Sequence, residues 1–229
     1  GLGDVYKRQT VLGVAGCTAL LLIGFGIQDS ILPIVDKQSG QLTHNDLTIS
    51  LSDEKALTME QGLADTLDSS SAVHSWGAFY TKSITLYNEE GGSADVSIVG
   101  AEDDARMTEY FTFRTRVGHD PIPFEEDSVI LTEKTALNLE LSVGDTFYVE
   151  AADGSRVPLV LTGITENYMF TRLYLSNAQL QALLGSTPEW NTVYGLTGCT
   201  TEAEYNALRT KLPVSYTHLR AHETAANLV

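Results

Sequence analysis

The chain has 229 residues and a formal net charge of −16, from 30 Asp and Glu against 14 Lys and Arg. That imbalance leaves no positive footprint for a nucleic-acid backbone or for anionic lipid headgroups, and argues against both as partners. The two cysteines, Cys17 inside an apolar run and Cys199 far along the chain, do not make a disulfide framework.

Both ends are set aside before any motif is taken from them. "GLGDVYKRQ" at the start and "VSYTHLRAHET" near the finish resemble translated sequencing-adapter read-through, so residues 1–9 and 214–229 are treated as artefact and native sequence is expected to continue at both ends. His218 and His222, four apart with Glu223 alongside, imitate two zinc ligands on a helix face and are discarded with the tail.

Residues 10–27, from Thr10 to Ile27, carry no charge. As a helix they rise roughly 27 Å, close to the hydrocarbon thickness of a bilayer. Val11, Leu12, Leu20, Leu21, Leu22, Ile23 and Phe25 make the run apolar on all sides, unlike the one-sided helix of a soluble core. A retained transmembrane helix is the leading expectation. A cleaved export signal is the alternative, with Gly24 and Gly26 as small residues near a cleavage site. Lys7 and Arg8 before the run and Asp29 after it give an N-terminus in the cytoplasm and residues 28–213 outside the cell membrane; because Lys7 and Arg8 belong to the end set aside, this orientation leans on the acidic domain that follows. Beyond the span, residues 28–40 read as a stalk. Ile27, Ile31, Ile34 and Val35 fall near one helical face, Pro33 is expected to kink or end the helix nearby, and "KQSGQ" is the exit.

From residue 41 the pattern is mixed. "DLTISL" alternates as a strand, "EKALTMEQGLADTLDSS" sets Leu57, Leu63, Ala64 and Leu67 on a helical face, and "AVHSWGAFYTKSITLYN" reads as a long strand. Within it, Phe79, Lys82, Ile84 and Leu86 describe a half-buried strand. "NEEGGSA" then turns a hairpin into "DVSIVGA". "DSVILTEKTALNLEL" predicts a strand and a short helix capped by Thr132, and "VGDTFYVEAADGSRVPLVLTGITEN" two strands about an Asp153-Gly154 turn. Gly144 is expected at positive φ in the turn before the first of these. "YLSNAQLQALLG" is a helix with Ser176 or Asn177 as cap and Gly185 as stop; "TVYGLTG" and "TEAEYNALRTKL" close with a strand and a helix. The fold class is α+β: one transmembrane helix followed by a mixed α/β extracytoplasmic domain over 41–213, as one elongated body or two small lobes joined through "RVGHDPIPFEED".

No enzyme chemistry is visible. His44, His74 and His119 are scattered, no nucleophile elbow or phosphate loop occurs, and Glu102, Asp103 and Asp104 lack the ligand alternation and glycine of a calcium loop, reading as a turn or helix start. The expectation is no catalytic residue, no cofactor and no metal. One stretch, "ENYMFTRLYLS", gathers Tyr168, Met169, Phe170 and Tyr174 as a contact surface, or as a strand burying alternate aromatics.

The succession of "GVAGCTALLLIGFGIQDSI", an α+β stretch, "SVILTEKTALNLELSVGDTF" and "LTGITENYMFTRLYLS" resembles the extracytoplasmic region of FtsX-like ABC-transporter permeases with a MacB-like periplasmic core domain, over about residues 10–213. The resemblance implies a permease subunit with further spans after the outer domain. It also implies a cytoplasmic ATP-binding cassette partner, a permease dimer, and an outer domain that couples ATP hydrolysis to export or mechanical signalling. A secreted or signal-anchored binding module with no ATPase partner is the alternative. No later apolar run reaches membrane length, which under the resemblance marks a fragment.

Overall fold

The computed structural model describes residues 2–51, 61–151 and 154–212. Helix α1 runs over Leu2–Lys37. Its stretch Tyr6–Ile27 is long and apolar enough to cross a membrane and has none of its surface buried against the rest of the chain. The expected break at Pro33 does not occur. A proline forfeits one hydrogen bond to the carbonyl four residues back, at about 3 kcal/mol, and a helix already propagated for many turns continues past it. The exit lies further on, where the chain widens into a π-helical turn at Gln38–Leu42 that ends on extended Thr43.

Among the described residues, nine strands form one sheet. They are β1 (Leu47–Ser50), β2 (Val73–Tyr87), β3 (Ser93–Ala101), β4 (Val129–Thr132), β5 (Thr146–Glu150), β6 (Arg156–Val160), β7 (Gly163–Thr165), β8 (Arg172–Leu175) and β9 (Thr192–Thr197). The order is β1-β9-β2-β3-β8-β4-β7, with the β5-β6 hairpin attached to the far end of β2. Pairing is antiparallel except at β3-β8 and β4-β7. Strands from before and after "RVGHDPIPFEED" interleave in this order, so that loop joins no separate lobes. It folds back on the sheet instead: Ile122 N donates to Phe113 O at 2.9 Å, and Phe124 stacks on Phe113 at 5.2 Å.

Residue alternation assigns the two faces. Tyr80, Ile84 and Leu86 of β2, Val96 and Ile98 of β3, and Leu173 and Leu175 of β8 point to the first face. There α4 (Glu133–Asn138) and α5 (Asn177–Leu184) cover them, while α2 (Gln61–Ser69) and α6 (Glu202–Lys211) cover the β1-β9 end through Leu63, Leu67 and Leu208. Phe79 points the other way, so the expected single-sided alternation of Phe79 with Lys82, Ile84 and Leu86 is corrected: a strand covered on both faces buries both parities. On that second face Phe79, Phe111 and Tyr194 interlock edge to face beneath α3 (Asp104–Tyr110), and Tyr174 packs tilted on Phe111, with ring centres 4.8–6.1 Å apart.

Local chemistry follows the sequence at most ends. Asp103 caps α3 by accepting from Ala105 N, Ser176 caps α5, Gly185 stops it at φ 67°, and Gly144 takes φ 98°. Thr132 occupies the cap position of α4, yet its side chain makes no capping bond; its hydroxyl meets Thr135 Oγ1 at 3.3 Å and accepts from Arg172 N at 3.1 Å. The segment expected to supply two strands supplies three, because β7 leaves the hairpin to pair with β4. Leu57 and Asp153 lie outside the described residues. Phe79 sits at the centre of the second-face cluster with no exposed surface. Phe79→Ala is expected to cost about 3–5 kcal/mol of unfolding free energy, read as a lowered denaturation midpoint at unchanged m-value.

Candidate functional site at the helix–domain junction

A long helix can act on a sheet only if its end is held. Lys37 to Thr43 is where α1 meets the domain, and the backbone makes the first attachment. Thr43 bridges Phe111 antiparallel, Thr112 N donates to Leu42 O at 3.0 Å, and His44 N donates to Tyr110 O at 2.9 Å. Leu42 and Gln38 are buried at 3% and 2% exposure. A buried side-chain amide needs its groups satisfied. Gln38 Nε2 donates to Thr43 Oγ1 at 3.0 Å, and its Oε1 accepts from Tyr168 N at 2.9 Å. The widened π-turn brings this amide to the loop before β8; such turns interrupt helices at places with a task.

Side chains make the second attachment. Glu166 is buried, its side chain 1% exposed, and its carboxylate pairs with Arg114 Nε at 2.7 Å. The other carboxylate oxygen accepts from the Tyr168 hydroxyl. Arg114 Nη2 reaches across to Gln41 Oε1 at 2.9 Å, on the π-turn itself. Two cations approach the Tyr168 ring, Lys37 Nζ at 5.6 Å and the Arg116 guanidinium at 5.8 Å from its centre. Burial pushes the Glu166 carboxyl up, but the hydrogen bonds from Tyr168 and Arg114 and the Arg114 charge outweigh it and hold the group below the usual carboxylate range. His44 is turned toward Thr112, Nε2 to Oγ1 at 2.7 Å, and burial lowers its pKa, favouring the neutral imidazole.

The structure distributes the residues singled out in the sequence. Ile27, Ile34 and Val35 are exposed along α1; the Ile31 side chain lies outside what is described. The contacts to the domain come instead from Lys37, Gln38, Gln41 and Leu42, polar residues for the most part, which an apolar stripe could not reveal. Of the four residues of the aromatic stretch, Tyr174 is core, Tyr168 faces the helix end, and Met169 and Phe170 border a cleft on the second sheet face. They form no single surface. The acidic run Glu102–Asp104 is a helix start: Asp103 caps α3 and Asp104 Oδ1 accepts from Asn177 N at 2.8 Å. His218 and His222 lie outside the described residues.

An apolar helix followed without a break by a sheet domain latched to its end defines a class: a sheet domain built on a helix of membrane-spanning length. The chain belongs to the MacB-like periplasmic core domain family, whose sequence profile it matches over residues 10–211. Among solved structures, the chain is similar to the extracellular domain of the noncanonic ABC-type transporter YknZ from Gram-positive bacteria, at 14% identity and a TM-score of 0.44, over 76% of this chain and 98% of that one. It is similar to the periplasmic region of MacB from Actinobacillus actinomycetemcomitans at 13% identity and a TM-score of 0.43, over 73% and 82%. A domain of a putative permease protein from Porphyromonas gingivalis matches at 12% identity and a TM-score of 0.42, over 82% and 98%. No curated protein sequence matches the chain.

The latch has a pH signature. Glu166 ionises more readily in the folded chain than in the unfolded one, where a glutamate titrates near about 4.3. Its stabilisation is therefore complete above that value and is lost as pH falls through the lower folded value. Glu166→Gln leaves Arg114 without its counter-charge and is expected to cost about 3 kcal/mol at neutral pH. Its acid-unfolding profile should also be shallower than that of the parent chain, as measured by denaturant titration at a series of pH values.

Proposed function

We propose that this chain is the membrane-anchored outer portion of an ABC-type transporter permease, and that the junction at Lys37–Thr43 passes movement between membrane helix and sheet. The observation that carries the reading is continuity: α1 runs from the apolar stretch Tyr6–Ile27 to Lys37 and is then fixed to the domain within one turn by Gln38, Gln41 and Leu42. A helix transmits displacement and torque along its axis, where a disordered linker dissipates both. Membership of the MacB-like periplasmic core domain family supports the same reading. In it, α1 crosses the cell membrane with its N-terminus in the cytoplasm, and residues 28–213 lie outside. A cytoplasmic ATP-binding cassette subunit supplies the energy through membrane segments of the longer parent protein, and a second permease copy completes the assembly. The exposed Ile34 and Val35 lie on the helix just outside the membrane, positioned to pack on neighbouring helices of that assembly.

The parent permease with its ATP-binding subunit, reconstituted in liposomes, tests the coupling. Glycine substitution of residues 31–35, or the pair Gln38→Ala and Glu166→Gln, is expected to reduce export about tenfold while ATP hydrolysis changes by less than about twofold, a coupling loss of ordinary size. Unchanged export counts against transmission through the junction. Mature protein recovered from the medium and beginning after Gly26 supports instead a secreted binding module without an ATPase partner.

A further inference from the structure

Beyond the aromatic cluster the second sheet face is open. Thr81 and Ser83 of β2, Ser97 of β3 and Thr192 of β9 line a cleft of about 410 Å³, with Met169 and Phe170 along one side. Thr81 and Thr192 bond each other at 2.7 Å and both meet Asn191 Oδ1, so the Ser83 and Ser97 hydroxyls are the ones offered to the cleft, each as donor and acceptor. Arg172, the first residue of β8, lies across from Ser97 in the parallel register and also lines the cleft.

Arg172 differs from the other arginines near the second face. Arg106, Arg114 and Arg116 each pair with a carboxylate, at 2.6, 2.7 and 3.2 Å. Among the described residues no carboxylate lies within 4.0 Å of Arg172. Its guanidinium sits 4.5 Å from the Phe170 ring centre and 5.4 Å from that of Phe111, and its polar neighbours are the phenols of Tyr174, which hydrogen-bonds it, and Tyr194. Nη1 is withdrawn from the surface and has no hydrogen-bond partner. A desolvated guanidinium with two π faces and no anion is an unfinished recognition site, since its planar donor fork matches an oxyanion.

We propose that this cleft binds a short peptide with both termini free, with its C-terminal carboxylate on Arg172. A single arginine in a strongly acidic domain suits a monoanion, where a phosphate dianion draws on several cations. Asp95, on the same cleft and two residues before Ser97, supplies the counter-charge for the ammonium group. The sheet hydroxyls bond the peptide groups, and Met169, half exposed, offers an adaptable apolar contact. Phe170 borders the same cleft with its ring centre 4.5 Å from the guanidinium carbon, and in this proposal the ring turns aside so that the carboxylate reaches the buried Nη1. This site does not depend on the coupling reading of the junction.

Calorimetric titration of the full chain in detergent micelles with trialanine, its C-terminal amide and its N-acetyl form tests the assignment. Trialanine is expected to bind, with the amide weaker by about tenfold or more, as befits loss of a charge-assisted bond. Arg172→Met should erase the difference between acid and amide while near-ultraviolet circular dichroism stays native. Asp95→Asn, which leaves Arg172 in place and keeps the proposal testable if the first variant fails to fold, should weaken trialanine about threefold and leave the N-acetyl form unchanged, since an exposed charge pair is worth little. Equal affinity for acid and amide, competition by inorganic phosphate, or no heat at about 10 mM trialanine, a concentration at which even a very weak site shows, overturns it.

Discussion

A carboxylate taken out of water has to be matched, and the Glu166 side chain, 1% exposed, is the place where this chain meets that demand most fully. Its two oxygens are claimed by Arg114 and Tyr168, which fixes the loop between β7 and β8 against the segment that follows α3. Those two partners then hold the helix: Arg114 through Gln41, Tyr168 through its backbone N–H to Gln38 and its ring beneath Lys37. The seat of the helix is thus a by-product of neutralising one buried charge. Apolar packing alone, which is non-directional, could hold Leu42 in the core without deciding the angle at which α1 leaves it.

The sheet explains why the seat is stiff. Both halves of the junction are tied to interior strands: Phe111 is locked among Phe79, Tyr174 and Tyr194, and the 166–171 loop runs straight into β8, between β3 and β4. A displacement of the helix end therefore meets a close-packed interior with little compliance, and moves the domain as a body rather than deforming a surface loop.

The sequence made the fold legible wherever local chemistry and periodicity agree. The apolar helix over 10–27, the long strand around Phe79, the Gly-Gly hairpin and the Ser176–Gly185 helix needed only charge, alternation and caps. What it could not show is order. Parallel pairing of β3 with β8 and of β4 with β7 joins segments far apart in sequence, and nothing local marks it; the same blindness suggested an inter-lobe linker where a loop folds back on its own sheet. The junction was half legible. Tyr168 drew attention as an aromatic in a rich stretch, but Gln38, which meets it, and Arg114, which meets Glu166 beside it, are ordinary polar residues whose meaning lies in contacts 130 and 52 residues away. Pro33 misled for a related reason: propensity weighs one residue, while the helix is a cooperative object that spreads the cost.

The stretch from Glu166 to Arg172 draws these threads together. At one end Glu166 and Tyr168 grip the helix, and at the other Phe170 and Arg172 border the open cleft, with Thr171 Oγ1 donating to Asp95 O at 3.2 Å between them. Seven residues so constrained have few ways to move independently. Any ligand that turns Phe170 aside acts on the same short segment that receives Gln38, and any shift of the helix end acts on the segment that screens Arg172. Reciprocity between two sites needs only that both bias one shared element, and here the element is a single loop whose two ends are anchored in different neighbours. The outer face of the sheet and the end of the membrane-length helix are in that sense a single mechanical unit, joined by bonds that a reading of either site alone would assign to local stability.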